Sequence, residues 1–554
     1  MSRAATKRKT RRSGAVLVIT LMFTLIAAIG TAAFLHLTKT EIAHARLESH
    51  STKAFYAAEV GLEKAVKFLK NDFYYAPVGM QPSWADDKMY SATGYVDMTR
   101  GGTVLMPKYL STYHPDYVND FYAFLDETPY AFEGNANYKS TYEVQLSNLL
   151  GWTDRIWVKT IGRYYRKSRD GYSYVLETER TALALVRALE ISPWNNAIFA
   201  GEGQAGRVIN GNVDIRGSVH LLGTSLGSND PAAEFSGSGN VGNNYAGIPP
   251  DLGLRIPPIQ RAYGQEILDS LEAEVRVQHG KVALSGSSCL GAPDVPGNPI
   301  KETLEGVFIS DGYGGNAGEG NVYSDNGTRN PYDLSDFDIT FPRLTDPYGG
   351  YPSYMDYLRA DALVISSGAQ LTQLRNIDPT SSFSFSNEKG MIAMDGSGHL
   401  TIRGVVVVEG DVNFNKRGSK KLITYQGKGS LASVGTVGIN CDLLTFSFST
   451  FPRVDILGVM AVNAINFNSA QINVMGVFYA QNQIVSQKQT SVAGTFFSNY
   501  FDMGQNVPSI YQVPEVVGHL PPGMIGDMRI WVVKKVTWGE IPNAGSLLQA
   551  LEEL

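Results

Sequence analysis

The hydrophobic pattern begins with one long apolar run close to the N-terminus. Residues 15–37 read AVLVITLMFTLIAAIGTAAFLHL, 23 positions without Asp, Glu, Lys or Arg. About 20 apolar residues cross the ~30 Å hydrocarbon core of a bilayer. A cleaved secretory signal has a shorter apolar region and then a polar cleavage site, and none follows Leu37. The run therefore predicts a single-pass membrane anchor.

The helical pattern continues beyond this run. Residues 37–71 contain no Pro, and small or apolar side chains recur in steps of three, four and seven. Pro77 and Gly79 then stop the pattern. We expect one helix over residues 15–71, roughly 80 Å long by the standard rise. Such a helix suits a subunit that packs its N-terminus into a filament, and a plain anchor with a short stalk is the alternative. The recurring positions are Ala43, Leu47, Ala54, Ala58, Gly61, Ala65 and Leu69.

The segment after the helix predicts loops and then an antiparallel sheet. Residues 72–140 are rich in Tyr, Gly, Asp and Pro and have no sustained period. Three β-rich runs follow, Tyr142–Ser147, Arg155–Arg163 and Tyr172–Ala182, with a turn signal at 168–171. The loops and the meander would together form a loop and antiparallel β region over residues 72–190, next to the long helix.

Short repeats dominate the second half of the chain. Segments 454–461, 472–479 and 490–497 align on Gly458, Gly476 and Gly494, which are 18 positions apart, and 213–220 and 400–407 are related. Alternating strands with Gly or Asn corners predict right-angled coils of a parallel β-solenoid. The three glycines should occupy equivalent corners, with Val459, Val477 and Thr495 on one sheet face and Met460, Phe478 and Phe496 on the interior face. An antiparallel sandwich is the alternative.

These patterns predict a mainly β protein of the α+β class. Its parts would be the long N-terminal helix, a small antiparallel meander and a large β-rich region with parallel β-solenoid coils. We place the first repeat segment at 191–250, an irregular insert with one helix (Arg261–Gln278) at 251–395 and the solenoid repeats at 396–510. A C-terminal strand (Met528–Thr537) and short helix (Ser546–Leu554) complete residues 511–554.

Charge predicts how the chain crosses the membrane. The net charge of the 554-residue chain is −6, but six basic residues lie in the first twelve positions and leave 41 basic against 53 acidic residues elsewhere. Lys and Arg next to an apolar segment stay on the cytoplasmic side. We therefore expect residues 1–14 in the cytoplasm and everything after about Lys39 outside. No global basic field favours nucleic acid.

The sequence contains no strong signal for catalysis, a cofactor or a metal. Cys289 and Cys441 lack zinc-site spacing and could be bridged or free. Residues 427–430 lack the glycine that a phosphate-binding loop requires, and His220 is more typical of a core or coil-surface residue than of a ligand. Calcium in residues 325–327 or 333–338 is an alternative to plain solvated turns. We expect no catalytic, cofactor-binding or metal-binding residues.

The N-terminal segment resembles a known family. RRSGAVLVITLMFTL followed by EIAHARLESHSTKAFYAAEVGLEKA is similar to the N-terminal domain of PilX-like minor pilins over about residues 8–70. The resemblance implies a basic leader, residues 1–14, that a prepilin peptidase cuts after Gly14 to expose Ala15. The family pattern AFxAAExGLxxA falls on Ala54, Phe55, Ala57, Ala58, Glu59, Gly61, Leu62 and Ala65.

One departure from pilins bears on function. Major pilins have Glu five residues into the mature chain, where this sequence has Ile19. The absence of this glutamate, which also occurs in PilX-like proteins, favours a priming or tip role. The resemblance thus implies a non-catalytic minor-pilin-like component of a type IV pilus or related secretion filament. The chain would span the bacterial inner membrane once, expose its bulk outside and associate with other pilins.

Two other functions compete with this one. A membrane-tethered surface-binding or adhesion protein would share the anchor without entering a filament, and its Tyr-rich loops would suit partner contact. A carbohydrate-active solenoid enzyme would need several carboxylates on one sheet face, whereas the clearest repeats present Met, Phe, Tyr, Asn and Gln. The sequence does not identify a surface ligand.

Overall fold

The computed structural model divides the chain into two compact units. The helix–sheet unit comprises Met1–Glu190 and Ile530–Leu554, and the solenoid unit comprises Ile191–Arg529. The structure describes residues 10–74, 95–97, 128–130, 137–149, 155–205, 208–263, 266–334, 339–503, 508–526 and 530–541. Most of the segment 72–140 and the expected helix Ser546–Leu554 lie outside these ranges.

The helix–sheet unit is built on one long helix, α1 (Thr10–Tyr74). The predicted N-terminal helix is thus confirmed. Threonine hydroxyls in its apolar part donate to the carbonyl oxygen four residues earlier, as from Thr20 to Val16 and from Thr31 to Ala27, both at 2.8 Å. These bonds satisfy the polar groups within the helix itself, so the segment needs no outside hydrogen-bond partner.

An antiparallel sheet packs on the C-terminal half of α1. Its order is β1-β3-β4-β5-β33, and β2 pairs with β3. The β1–β3, β2–β3, β3–β4 and β4–β5 pairs are antiparallel, which confirms the predicted meander. The chain leaves this sheet after β5, forms the whole solenoid unit and returns as the neighbouring strand β33. The strands are β1 (Tyr95–Asp97), β2 (Thr128–Tyr130), β3 (Tyr138–Leu149), β4 (Arg155–Lys167), β5 (Tyr174–Ile191) and β33 (Ile530–Ile541).

Over its described residues, the solenoid unit contains the remaining strands and three short α-helices. The strands are β6 (Ile198–Gln204), β7 (Ile209–Gly211), β8 (Asp214–Arg216), β9 (Val219–Leu221), β10 (Pro231–Gly237), β11 (Asn240–Gly242), β12 (Gln260–Tyr263), β13 (Glu266–Asp269), β14 (Glu274–Val277), β15 (Lys281–Leu284), β16 (Cys289–Leu290), β17 (Gly306–Ile309), β18 (Tyr313–Gly314), β19 (Leu363–Ile365), β20 (Ser382–Ser386), β21 (Gly390–Asp395), β22 (His399–Val408), β23 (Val412–Phe414), β24 (Leu422–Gln426), β25 (Lys428–Ser433), β26 (Val437–Ile439), β27 (Asp442–Thr445), β28 (Ile456–Ala461), β29 (Ala464–Phe467), β30 (Ile472–Ser486), β31 (Thr490–Asp502) and β32 (Ser509–Tyr511). The helices are α2 (Pro250–Gly253), α3 (Tyr354–Ala360) and α4 (Gly368–Leu374), with 3-10 turns at Gly318–Asn321 and Pro514–His519.

Parallel coils form the core of this unit. A complete coil contributes three strand segments, such as β24, β25 and β26, which pair in register with β27, β28 and β29 of the next coil. One buried column runs through ten paired strands and explains why the coils stack, because each coil buries its apolar side only against its neighbours. Its members are Leu363, Val406, Leu431, Val459, Phe478, Phe496, Ile198, Val219, Val275 and Val307.

The spatial order of the coils differs from their order along the chain. Strand β6 enters the middle of the stack, where it pairs with β31 on one side and β9 on the other. The chain then builds outward through β14 and β17. It next crosses to the opposite end at β19 and returns coil by coil to β31. The two separated repeat segments are therefore parts of one stack.

The segment between β17 and β19, which we call the crossover, joins the two ends of the stack and covers the outer face of one side of the solenoid. Tyr332 hydrogen-bonds to His220 at 2.8 Å. Further along the crossover, Phe341 stacks on Tyr479 with ring centroids 5.8 Å apart, and the Tyr479 hydroxyl donates to the Pro342 carbonyl at 2.5 Å. Both faces of this side are consequently buried, which explains its nearly continuous apolar sequence.

The predicted helix at Arg261–Gln278 is wrong. The segment forms the antiparallel hairpin β12–β13 and then β14. Its apolar residues fit a helical period, but Val275 and Val277 pair with Val219 and Leu221 of a neighbouring coil. Pairing with strands distant in sequence therefore overrides the local pattern.

The predicted equivalence of the three repeat glycines is wrong for Gly458. Gly476 and Gly494 pair with each other and have φ of +154° and +149°. Each lies where its long strand passes from one side of the coil to the next. Gly458 instead pairs with Val477, because the coil between Val459 and Phe478 is one residue longer than the next.

This stagger also changes the predicted interior row. Val459 joins Phe478 and Phe496 in the interior column. The Phe467 ring packs on both phenylalanine rings, with ring centroids 5.3 Å apart in each pair. Met460 lies beside Tyr479 on the outer face that the crossover covers. The expected row of Met460, Phe478 and Phe496 is thus not one row.

Candidate functional site

The residues of the family motif hold α1 against the sheet. Small side chains at these positions let the helix approach the strands closely, and all except Phe55 and Glu59, which are half-buried, are buried. The fully buried members, each at most 2% exposed, are Ala54, Ala57, Ala58, Leu62 and Ala65.

Two glycines mark the closest contacts between α1 and the sheet. A Cβ atom on Gly162 of β4 would lie 1.9 Å from the Ala54 carbonyl oxygen and 2.5 Å from the Ala58 nitrogen. A Cβ on Gly61 would lie 3.0 Å from the Tyr142 ring. The helix and β4 therefore meet backbone to backbone, which no larger residue would allow.

Polar contacts fix the position of the helix along the sheet. Lys64 Nζ donates to the Tyr142 hydroxyl at 2.9 Å, and Arg180 Nε donates to Ser51 Oγ at 2.6 Å. His50 packs on the Tyr164 ring with centroids 4.8 Å apart. Burial lowers the pKa of His50. The Glu177 carboxylate, 3.8 Å from His50 Nδ1, partly opposes this shift. These contacts limit sliding of α1 over the strands.

The N-terminal half of α1 exposes a continuous apolar surface. Phe23 and Ile26 are 70% and 65% exposed, and so is nearly every large side chain between residues 16 and 37. Water-soluble monomers rarely expose an apolar patch of this size. Among the residues that the structure describes, one helix, Val16–Lys67, is long and apolar enough to cross a membrane. This half of the helix is therefore the surface most in need of a membrane or apolar partner.

The predicted cleavage position lies at the start of this helix. The backbone of Gly14 and Ala15 belongs to α1, while residues 1–9 lie outside the described part of the chain. Ile19, at the position where major pilins have Glu, is 54% exposed. An apolar residue therefore occupies the place of the pilin carboxylate.

The residues considered for other chemistry are occupied by structural contacts. Cys289 and Cys441 are both free thiols, and burial raises the pKa of each. Asp325 binds Lys301 at 3.0 Å and Asp333 binds Arg276 at 3.0 Å. Over the ranges that the structure covers, no group of three or more His, Cys, Asp or Glu side chains is placed to hold a metal.

Sequence reasoning missed Gly162 and its contact with the helix. The available signal was a glycine inside a strand pattern, which often marks close approach of another backbone. The sequence does not say which element approaches. Only the structure joins Gly162 to Ala54 and Ala58.

Comparison with known proteins places this arrangement among pilins by fold. No family model and no curated protein matches the chain. Among solved structures, the crystal structure of the competence-associated pilin ComZ from Thermus thermophilus is similar, with a TM-score of 0.50 and 19% sequence identity. The match covers 89% of this chain and 97% of that chain. The chain therefore has a pilin-like fold.

Proposed function

We propose that this chain is a minor-pilin-like, non-catalytic subunit of a type IV pilus or related secretion filament. The observation that carries the proposal is the division of α1 into two halves. Its C-terminal half is fixed to the sheet by backbone-close contacts, and residues 16–37 of its N-terminal half expose large apolar side chains and contain no charged residue. Such a helix can lie in a bilayer before assembly and pack against the helices of other pilins afterwards.

Processing and topology follow from the basic N-terminus. A prepilin peptidase would cut between Gly14 and Ala15 on the cytoplasmic side of the bacterial inner membrane. The positive charge of residues 1–14 keeps that end in the cytoplasm, so both compact units lie outside. The solenoid unit is then the part that the filament displays.

Ile19 favours a priming or tip position over repeated incorporation. An isoleucine cannot provide the charge that the pilin Glu brings to the apolar interior of a filament. A subunit at the end of the filament lacks a neighbour on one side and can tolerate that loss.

Immunogold labelling of sheared filaments tests the proposal. An epitope after Leu554 should be detected at one filament end, and a Gly14→Leu variant should remain in the membrane fraction and leave the filaments unlabelled. Uniform labelling along the filament would contradict the tip position. Absence of the wild-type chain from the filaments, with normal membrane levels, would contradict the filament role altogether.

A further inference from the structure

The turn between β4 and β5 gathers unusual surface residues. We call residues 164–176 the hairpin tip. Tyr172 is 94% exposed, and Val175, Leu176 and Tyr174 are 51%, 46% and 37% exposed. Among the strand residues of this unit whose burial is described (137–144, 157–187, 535, 539 and 540), these four are the only exposed large hydrophobic side chains. Within those stretches, the exposed apolar surface is confined to the hairpin tip.

Basic side chains surround this apolar surface. Lys139 lies over the rings of Tyr165 and Tyr174, 4.8 and 5.0 Å from their centroids. Lys167 and Arg169 lie at the turn, and Arg169 is exposed. Arg166 is paired with Glu177 at 2.6 Å. The charge that faces outward from the hairpin tip is thus mainly positive.

The acidic residue of the turn, Asp170, is exposed and accepts hydrogen bonds from within the turn. The Asp170 carboxylate accepts hydrogen bonds from Ser168 Oγ at 2.6 Å and from the backbone N–H groups of Tyr172 and Ser173 at 2.9 and 3.2 Å. The bond from Ser168, followed by the two backbone bonds, lowers the pKa of Asp170 to about 2. This carboxylate stabilises the turn and stays ionised at neutral pH, but the basic side chains Lys139, Lys167 and Arg169 outnumber it at the hairpin tip.

Contacts with α1 show that the hairpin tip points along the helix toward its N-terminus. On β3, Tyr142 meets Gly61 and Lys64, whereas Tyr138, four residues earlier, meets His50. On β4, Gly162 meets Ala54 and Tyr164 meets His50. Both strands therefore run nearly along the helix, and β4 runs toward the apolar segment.

The distances bring the hairpin tip close to the end of the apolar segment. Thirteen helical residues separate Leu37 from His50, about 20 Å at the standard rise. From Tyr164, which packs on His50, the strand continues about 13 Å to Ser168 at 3.3 Å per residue. The turn therefore lies within roughly 10 Å of the level of Leu37 along the helix axis. This distance is comparable to the thickness of the headgroup layer outside the ~30 Å hydrocarbon core.

We propose that the hairpin tip binds the headgroups of anionic phospholipids in the bilayer that α1 spans. Tyr rings favour the membrane interface, and Lys and Arg near an anionic leaflet are attracted to it. Long basic side chains can extend toward phosphates while their stems contact apolar surface. This inference rests on the proposed membrane anchoring, and it gives the helix–sheet unit a preferred orientation on the bilayer before assembly.

Hydroxyl-radical footprinting of the full chain in lipid nanodiscs tests the inference. Oxidation of Tyr172 and Tyr174 is measured relative to Tyr348 and Tyr351, which are 47% and 39% exposed in the solenoid unit. In discs containing phosphatidylglycerol, the relative oxidation of Tyr172 should fall several-fold below its value in phosphatidylcholine discs. A Lys167→Glu/Arg169→Glu variant should lose this difference, and a Lys416→Glu/Lys488→Glu variant, with the same change in net charge, should retain it.

Other outcomes separate the inference from the anchoring proposal. If the chain remains in the discs but Tyr172 is equally oxidised in both lipids, the lipid contact is wrong and the anchor stands. Protection that is equal in both lipids and grows with the number of chains per disc would indicate a protein contact and overturn the inference. Failure of the chain to remain in discs would overturn both.

Discussion

At the residue scale, glycine positions decide how closely backbones can approach. The sequence identified the small residues of the helix motif but not their partner Gly162, because a pattern within one element does not reveal what packs against it. His220 shows a related limit. The sequence left open whether it lies in the core or on the coil surface. The structure buries it, and its partners, Tyr332 and the nearby Arg276, come from segments that only the fold brings together.

Replacing Gly162 with alanine should detach the helix from the sheet. The new Cβ would lie 1.9 Å from the Ala54 carbonyl oxygen, so α1 or β4 must move. We expect the free energy of unfolding of the helix–sheet unit to fall by about 3 kcal/mol, the upper end of the range for overpacking. Faster backbone hydrogen exchange in residues 54–65 measures this loss. Gly539→Ala is the control, since no heavy atom lies within 4 Å of that Cβ, and equal exchange in both variants would contradict the close contact.

His220 should make the stability of the solenoid unit depend on pH. Burial, reinforced by Arg276, lowers the pKa of His220 well below 6.5, and Glu274 and Asp333 bind that arginine. The unfolded state therefore binds a proton more readily than the folded state. The contribution of His220 to the free energy of unfolding is fully present above about pH 6.5. It decreases by about 1.4 kcal/mol per pH unit as the pH falls toward the pKa of His220 in the folded state.

A His220→Gln variant isolates this contribution. Glutamine does not titrate and can still hydrogen-bond to Tyr332. Denaturant unfolding of the solenoid unit between pH 5 and pH 7 should therefore show a smaller pH slope in the variant than in the wild type. Identical slopes in the two proteins would show that His220 does not carry the effect.

At the scale of elements, periodic segments were predicted well and non-local pairings were not. The long helix and the parallel coils follow from patterns within single segments, 3.6-residue and 18-residue periods respectively. The segment Arg261–Gln278 was misassigned because its strands are selected by Val219 and Val307 of neighbouring coils. The entry of β6 between β31 and β9 could not be predicted, since it depends on strands about 300 residues apart.

Corner glycines should be essential to the coils. A Cβ on Gly494 would lie 1.7 Å from the Gly476 carbonyl oxygen, and its φ of +149° disfavours any other residue. Gly494→Ala should therefore destabilise the solenoid unit by about 3 kcal/mol, measured by denaturant unfolding. Gly320→Ala, where no atom lies within 4 Å, should change stability little. Comparable losses in both variants would contradict the corner assignment.

At the scale of the whole molecule, a large solenoid is inserted between two neighbouring strands of a pilin-like sheet. Arg180 of β5 pairs with Glu540 of β33 at 3.3 Å, eleven residues before the end of β5 and ten after the start of β33. The two ends of the insertion are therefore brought together by the sheet. The sequence predicted both the antiparallel sheet and the solenoid. It did not predict that the solenoid is inserted into the sheet, because this depends on the pairing of β33 with β5.

The central claim is that this chain is a processed pilin-like subunit, and its mature N-terminus tests that claim most directly. Mass spectrometry of the protein isolated from its own cells should find a chain that begins at Ala15, with residues 1–14 removed. The Gly14→Leu variant should retain them. A wild-type chain that keeps residues 1–14, in cells whose other pilins are processed, would contradict the account.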